Sequence, residues 1–129
     1  CREGVGMRRT SKKAPPPEVE SIPTEHEEQC GFVQWFRRKF PHVRIMAIPN
    51  GGWRNAATAG KLKAEGVSRG VPDLFIPEWK LWIEMKRITG GRVSPEQQGW
   101  KSYLEQCGYA VFICAGMEQA RREVEAWLT

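Results

Sequence analysis

Long apolar runs are missing from this sequence; none approaches the roughly 20 residues that a membrane-crossing helix needs. Histidine is scarce, with only His26 and His42, and the four cysteines Cys1, Cys30, Cys107 and Cys114 include no C-x-x-C spacing. A structural zinc site is therefore not expected. The cysteines read instead as small buried hydrophobes with free thiols, which suits a reducing compartment. There is no glycine-rich phosphate loop: Gly51-Gly52, after Pro49-Asn50, is a turn signal. That argues against a nucleotide-binding α/β domain. Arg8, Arg9, Lys12 and Lys13 lead into no apolar stretch, so no secretory leader is expected and the protein is expected to work inside a cell.

What is present is basic charge. Twenty Lys and Arg stand against 15 Asp and Glu, a net charge of +5 over 129 residues. Such an excess suits a polyanionic partner. The length allows one domain with its own core plus a tail. The tail is expected at residues 1–22, where Pro15-Pro16-Pro17 and the basic cluster read as a disordered or extended arm, leaving residues 23–129 as the domain.

Within the domain, Thr24 and Glu27 form a capping-box pattern that opens a helix reaching about Lys39 and stopped by Pro41. Gln29, Phe32, Val33, Phe36 and Phe40 recur at helical spacing as its buried stripe. A strand is expected over Val43–Ile48, then a helix over Arg54–Glu65 with Ala56, Ala57, Ala59 and Leu62 inward, ended by Gly66. Asp73–Ile76 and Lys80–Lys86 read as two strands paired antiparallel through Pro77-Glu78-Trp79. Ser94, Pro95 and Gln97 open a second capping-box helix with Trp100, Tyr103, Leu104 and Cys107 on its inner side. Tyr109–Ala115 is a strand apolar enough to be covered on both faces, and Met117–Leu128 a last helix with Ala120, Val124 and Trp127 or Leu128 inward. The order α-β-α-β-β-α-β-α gives an α/β fold with a mixed four-stranded sheet flanked by helices.

The chemistry concentrates between Gly70 and Arg87. In Leu81-Trp82-Ile83-Glu84-Met85-Lys86, strand alternation sends Leu81, Ile83 and Met85 to one face and Glu84 and Lys86, beside Trp82, to the other. On a wet edge such a pair would be a weak surface ion pair. The apolar odd positions argue for a central strand, and Pro72 and Pro77 fix Asp73 at the start of the preceding one. An aspartate opposite a carboxylate and an ammonium can hold a divalent cation and steer a water, the equipment for phosphodiester hydrolysis. Arg54, Lys61, Lys63, Arg69, Arg87 and Arg92 are the expected phosphate contacts, with recognition by DNA shape rather than base sequence. Trp53 and Trp79 are candidate interface residues.

Pro72-Asp73 followed by Glu84-Met85-Lys86 resembles the PD-(D/E)XK nuclease superfamily, and more closely its virus-type replication-repair nuclease domain, VRR-Nuc. The supporting segments are Glu25–Trp35, Ala47-Ile48-Pro49-Asn50-Gly51-Gly52, Ala59–Val67, Ser94-Pro95-Glu96-Gln97 and Gly108-Tyr109, so the likeness spans about Thr24 to Leu128. It implies a restriction-endonuclease-like core and a metal-dependent deoxyribonuclease using Mg²⁺ or Mn²⁺. Asp73 and Glu84 match the metal-binding acids, with the backbone carbonyl of Met85 as a further ligand. Lys86 matches the catalytic lysine, Glu25 the first-helix acid with Glu28 as competitor, and Gln97 the glutamine of the following helix. Small stand-alone members, found in phages and bacteria, are similar to junction-resolving DNA-repair enzymes and act as homodimers. The implied substrate is branched DNA, most directly a four-way (Holliday) junction. A flap, nick or single-strand nuclease, an exonuclease, and a non-catalytic DNA-binding module are the readings left open.

Overall fold

The structure is a computed structural model that describes residues 21–49 and 55–129. The basic arm, the Gly51-Gly52 turn, Trp53 and Arg54 lie outside the described residues. Helix α1 spans Glu25–Lys39. Thr24 Oγ1 accepts from Glu27 N–H at 3.1 Å while Glu27 Oε1 accepts from Thr24 N–H at 3.0 Å, so the expected capping box forms. Acidic residues in its first turn and Arg37, Arg38 and Lys39 in its last complement the helix dipole.

The sheet runs β1 (Met46–Ala47), β2 (Leu74–Ile76), β3 (Leu81–Lys86), β4 (Ala110–Ala115), in that spatial order. The β1–β2 and β2–β3 pairs are antiparallel and β3–β4 is parallel, the mixed four-stranded α/β sheet expected. Helix α2 (Ala56–Ala64) links β1 to β2, α3 (Pro95–Gln106) links β3 to β4, and α4 (Met117–Trp127) ends the fold. A 3₁₀ turn over Pro77–Trp79 joins β2 to β3, closed by Lys80 at φ 50°.

One sheet face carries Leu74, Ile76, Leu81, Ile83 and Met85, all buried with Phe32 and Phe36 of α1 and Ala120 and Val124 of α4. Burying each large side chain contributes about 1.5–3 kcal/mol, so this layer is the main source of stability. On the other face Phe75 stacks on its cross-strand partner Trp82 at 4.2 Å, with Tyr109 edge-on to both. The alternation that sends Phe75 and Trp82 there also sends Asp73, Glu84 and Lys86 there.

Several expectations are corrected. The first strand shrinks from Val43–Ile48 to two residues, because Val43 N–H bonds back to Phe40 O at 3.1 Å and is taken up in a turn around Pro41. Helix α2 starts at Ala56, capped by Asn55 Oδ1 on Thr58 N–H at 2.8 Å, and buries none of its residues, so its small apolar side is not a core face. In α3 only Leu104 is buried; Cys107 is exposed and Tyr103 is 57% exposed. Strand β4 is a sheet edge, and only Val111 and Cys114 are buried along it. Trp127 and Leu128 stay exposed, although Trp127 meets Phe112 edge-on at 5.7 Å. The Trp79 ring packs at 5.4 Å on Phe36 and 5.0 Å on Phe40, partly buried at the core margin. Of the described cysteines Cys114 alone is buried, while Cys30 and Cys107 are exposed.

Candidate active site

Strand β3 delivers Glu84 and Lys86 from its middle and end, where the sheet holds them under cover: Glu84 is 4% exposed and Lys86 9%. Asp73 enters from the residue before β2, and its Oδ2 accepts from Met85 N–H at 3.0 Å. That bond fixes the aspartate against β3. The third contributor is the N-terminus of α3. Gln97 N–H bonds Ser94 Oγ at 3.1 Å, and Gln97 Oε1 takes Ser94 N–H at 2.9 Å, which is the capping box that starts the helix.

The same Gln97 amide reaches into the site. Its Oε1 accepts from Lys86 Nζ at 2.8 Å and its Nε2 donates to Glu84 Oε1 at 2.6 Å. A lysine ammonium only donates, so Lys86 must face the amide oxygen, which turns Nε2 toward Glu84. Lys86 Nζ lies 3.7 Å from Glu84 Oε1, too long for a direct hydrogen bond, so the amide is the link between the two.

Gly70 makes this approach possible. At φ +89° it occupies backbone space that L-residues rarely adopt, and a Cβ there would sit 2.5 Å from Glu96 C and 2.7 Å from Gln97 N. The start of α3 thus rests directly on the Gly70 backbone. Sequence reading missed this glycine; its signal was a glycine just ahead of the Val71-Pro72-Asp73 turn into β2.

A cleft of about 340 Å³ opens over the two acids and Gln97, lined by Glu25, Arg69, Asp73, Glu84, Glu96 and Gln97 among others; Lys86, 9% exposed, does not line it. Burial, then the neighbouring Asp73 carboxylate, pushes Glu84 up to about 8. Burial also raises Asp73, against the lowering effect of the Met85 N–H. Glu25, exposed at the start of α1, adds further negative charge to both. Glu84 Oε2 is buried with no hydrogen-bond partner. Two crowded carboxylates, one with an orphaned oxygen, suit a hard divalent cation, which would relieve the repulsion and satisfy that oxygen. Among the described residues no cluster of three or more His, Cys, Asp or Glu is poised around a cation. A Mg²⁺-sized ion held by one or two carboxylates takes its other ligands from water and phosphate.

The structure separates the two first-helix candidates. Glu25 lines the cleft. Glu28 is buried at 5% exposure, with its Oε2 2.6 Å from where a Gly116 Cβ would stand, at the start of α4. Of the expected phosphate contacts, Arg69 borders the cleft, while Lys61, Lys63, Arg87 and Arg92 are exposed without lining it.

The VRR-NUC domain family model matches residues 12–118. A solved VRR_NUC domain protein superposes with a TM-score of 0.69 at 25% sequence identity, over 81% of this chain and 88% of that one. No curated protein matches the chain with comparable significance.

Proposed function

Because the chain belongs to the VRR-NUC domain family, which implies a nuclease of the PD-(D/E)XK type, we propose that it is a metal-dependent, structure-selective DNA endonuclease acting on branched DNA. The observation that carries this reading is the Gln97 amide joining Lys86 to Glu84 beside Asp73 in an open cleft.

Asp73 and Glu84 would hold Mg²⁺ or Mn²⁺, with the Met85 carbonyl as a further ligand. When bound, the ion polarises a phosphoryl oxygen and lowers the pKa of a water. The chain's own residues do the rest. Met85 N–H keeps the Asp73 carboxylate aimed. Gln97, which lines the cleft, holds Lys86 Nζ just behind it, from where the ammonium would orient the attacking water or meet negative charge growing on phosphorus. Glu25 lies where it can take part in the water and cation shell. Arg69, with Lys61, Lys63, Arg87 and Arg92, would draw in the DNA backbone, and binding would weaken with salt.

A four-way junction is the first substrate to test. The described residues form one such cleft, so symmetric cutting of two strands calls for a two-fold homodimer. The experiment is cleavage of labelled junction, flap, duplex and single-stranded DNA with Mg²⁺, Mn²⁺ or EDTA, beside Asp73→Ala and Lys86→Ala. Paired nicks in the junction, lost in EDTA and in both variants, are expected. Cutting confined to flaps or ends would move the substrate and keep the chemistry. Undiminished cutting by Asp73→Ala would overturn the site.

A further inference from the structure

The helix that brings Gln97 to the cleft continues into an aromatic patch that the fold leaves uncovered. Beside the catalytic cleft lies a second, apolar one of about 420 Å³, lined by Arg69, Glu96, Gly99, Trp100 and Tyr103. Arg69 and Glu96 border both, so the two are continuous along α3. Trp100 and Tyr103 stand edge to face, ring centres 5.8 Å apart and planes at 90°. Tyr103 is 57% exposed. These side chains follow helical spacing as a core stripe would, yet they face the open cleft. Gly99 leaves room there, since a Cβ at that position would meet nothing within 4 Å.

We propose that this patch is a stacking shelf for an unpaired nucleobase next to the scissile phosphate, which makes unpaired nucleotides flanking the cut part of the substrate. The inference rests on the nuclease reading above. A helix rises about 1.5 Å per residue, so Trp100 and Tyr103 lie about 4.5 and 9 Å along α3 from Gln97. Nucleotides of one strand in a duplex are spaced about 3.4 Å along the axis, which places the shelf one to three nucleotides from the phosphate over the cleft. Bases inside a duplex have their faces covered by neighbours, while an unpaired base offers a π-face to Trp or Tyr. Arg69 at the boundary supplies the positive charge that suits the connecting phosphate. Continuity with the catalytic cleft favours a nucleotide over a second copy of the chain as the occupant.

The test is single-turnover cleavage in Mg²⁺ of a duplex with a single-stranded tail and of the same duplex fully paired, comparing the protein concentrations that give half the maximal rate. The variants are Tyr103→Ala, at an exposed position, and Gly99→Leu, whose Cβ enters space with nothing within 4 Å and whose side chain would occupy the cleft. Wild type should favour the tailed DNA, and each variant should lower that preference at least about fivefold, the lower end of what one stacked base contributes. An unchanged preference in both variants, or equal loss on both DNAs, would overturn the shelf and leave the nuclease reading intact. A change in sedimentation mass with Tyr103→Ala would assign the face to self-association and also overturn it. A wild type that cuts neither DNA and binds neither would bring down both readings.

Discussion

Replacing Gly70 by alanine should damage this protein in two separable ways. The first is strain: at φ +89° an L-residue costs about 1–2 kcal/mol relative to glycine. The second is collision. The new methyl would lie 2.5 Å from Glu96 C and 2.7 Å from Gln97 N, both backbone atoms that no rotamer change can move. Forcing such a methyl into packed surroundings costs about 1–3 kcal/mol more. Gly66 provides the control, since it has φ +101° and a Cβ there would meet nothing within 4 Å. Gly66→Ala should therefore lose about 1–2 kcal/mol in denaturant unfolding, and Gly70→Ala about 2–5 kcal/mol. The difference isolates the contact between Gly70 and the start of α3. Because Gln97 N is one of the atoms displaced, Gly70→Ala should also cut more slowly well below its unfolding midpoint, whereas Gly66→Ala should keep its rate. Equal destabilisation of the two variants would refute the contact. Full activity in a destabilised Gly70→Ala would refute the claim that the contact positions Gln97.

Gln97→Ala removes the amide bridging Lys86 and Glu84; with the cation in excess, cleavage should fall about 10–100-fold while the circular dichroism spectrum is kept. Glu84 sits at about 8 when folded, above its unfolded value near 4.5, so the cation-free folded state binds the extra proton and stability should fall as pH rises through that window. Urea midpoints in EDTA that climb between pH 5 and pH 8 would contradict this, and Mg²⁺ should flatten the slope. Phe36→Ala empties a fully buried ring site beside Phe32, Phe40 and Trp79 and should cost about 3–5 kcal/mol by equilibrium unfolding. Glu25→Gln should alter cleavage and cation affinity without moving the unfolding midpoint, and Glu28→Ala should move the midpoint; the reverse pattern would exchange the two residues' roles.

The elements most legible in the sequence are those with two independent local signals. Helix α1 has a capping box and the Pro41 stop, α3 a capping box and Pro95 at its first position, and both start where Thr24 and Ser94 predict. Strand β3 alternates cleanly and places Glu84 and Lys86 on the Asp73 face. Legibility fails where tertiary packing decides. Helical spacing groups Trp100, Tyr103, Leu104 and Cys107 on one side, but it cannot say whether another element covers that side, and only Leu104 is covered. The run Val43–Ile48 has strand composition throughout, yet the Phe40–Val43 turn leaves two residues paired at the sheet edge. Glu25 and Glu28 are one helical turn apart, within the same reach in sequence. Their separation depends on Gly116, whose missing Cβ leaves the Glu28 carboxylate its place at the start of α4.

The double duty of Gln97 suggests why the site tolerates a cleft open to solvent. A glutamine has limited amide valence, and here its oxygen takes the Ser94 N–H and the Lys86 ammonium together while its nitrogen serves Glu84. Fraying of the first turn of α3 would therefore release Lys86, and loss of the Lys86–Gln97–Glu84 chain would weaken the cap. Local helix stability and alignment of the chemical groups become one equilibrium. Ser94→Ala, which leaves Asp73, Glu84, Lys86 and Gln97 themselves unchanged, should then lower the cleavage rate as well as stability. Ser94→Asp, still able to cap, separates the two causes: it should restore the helix start, and the rate follows only if the cap transmits its order through Gln97.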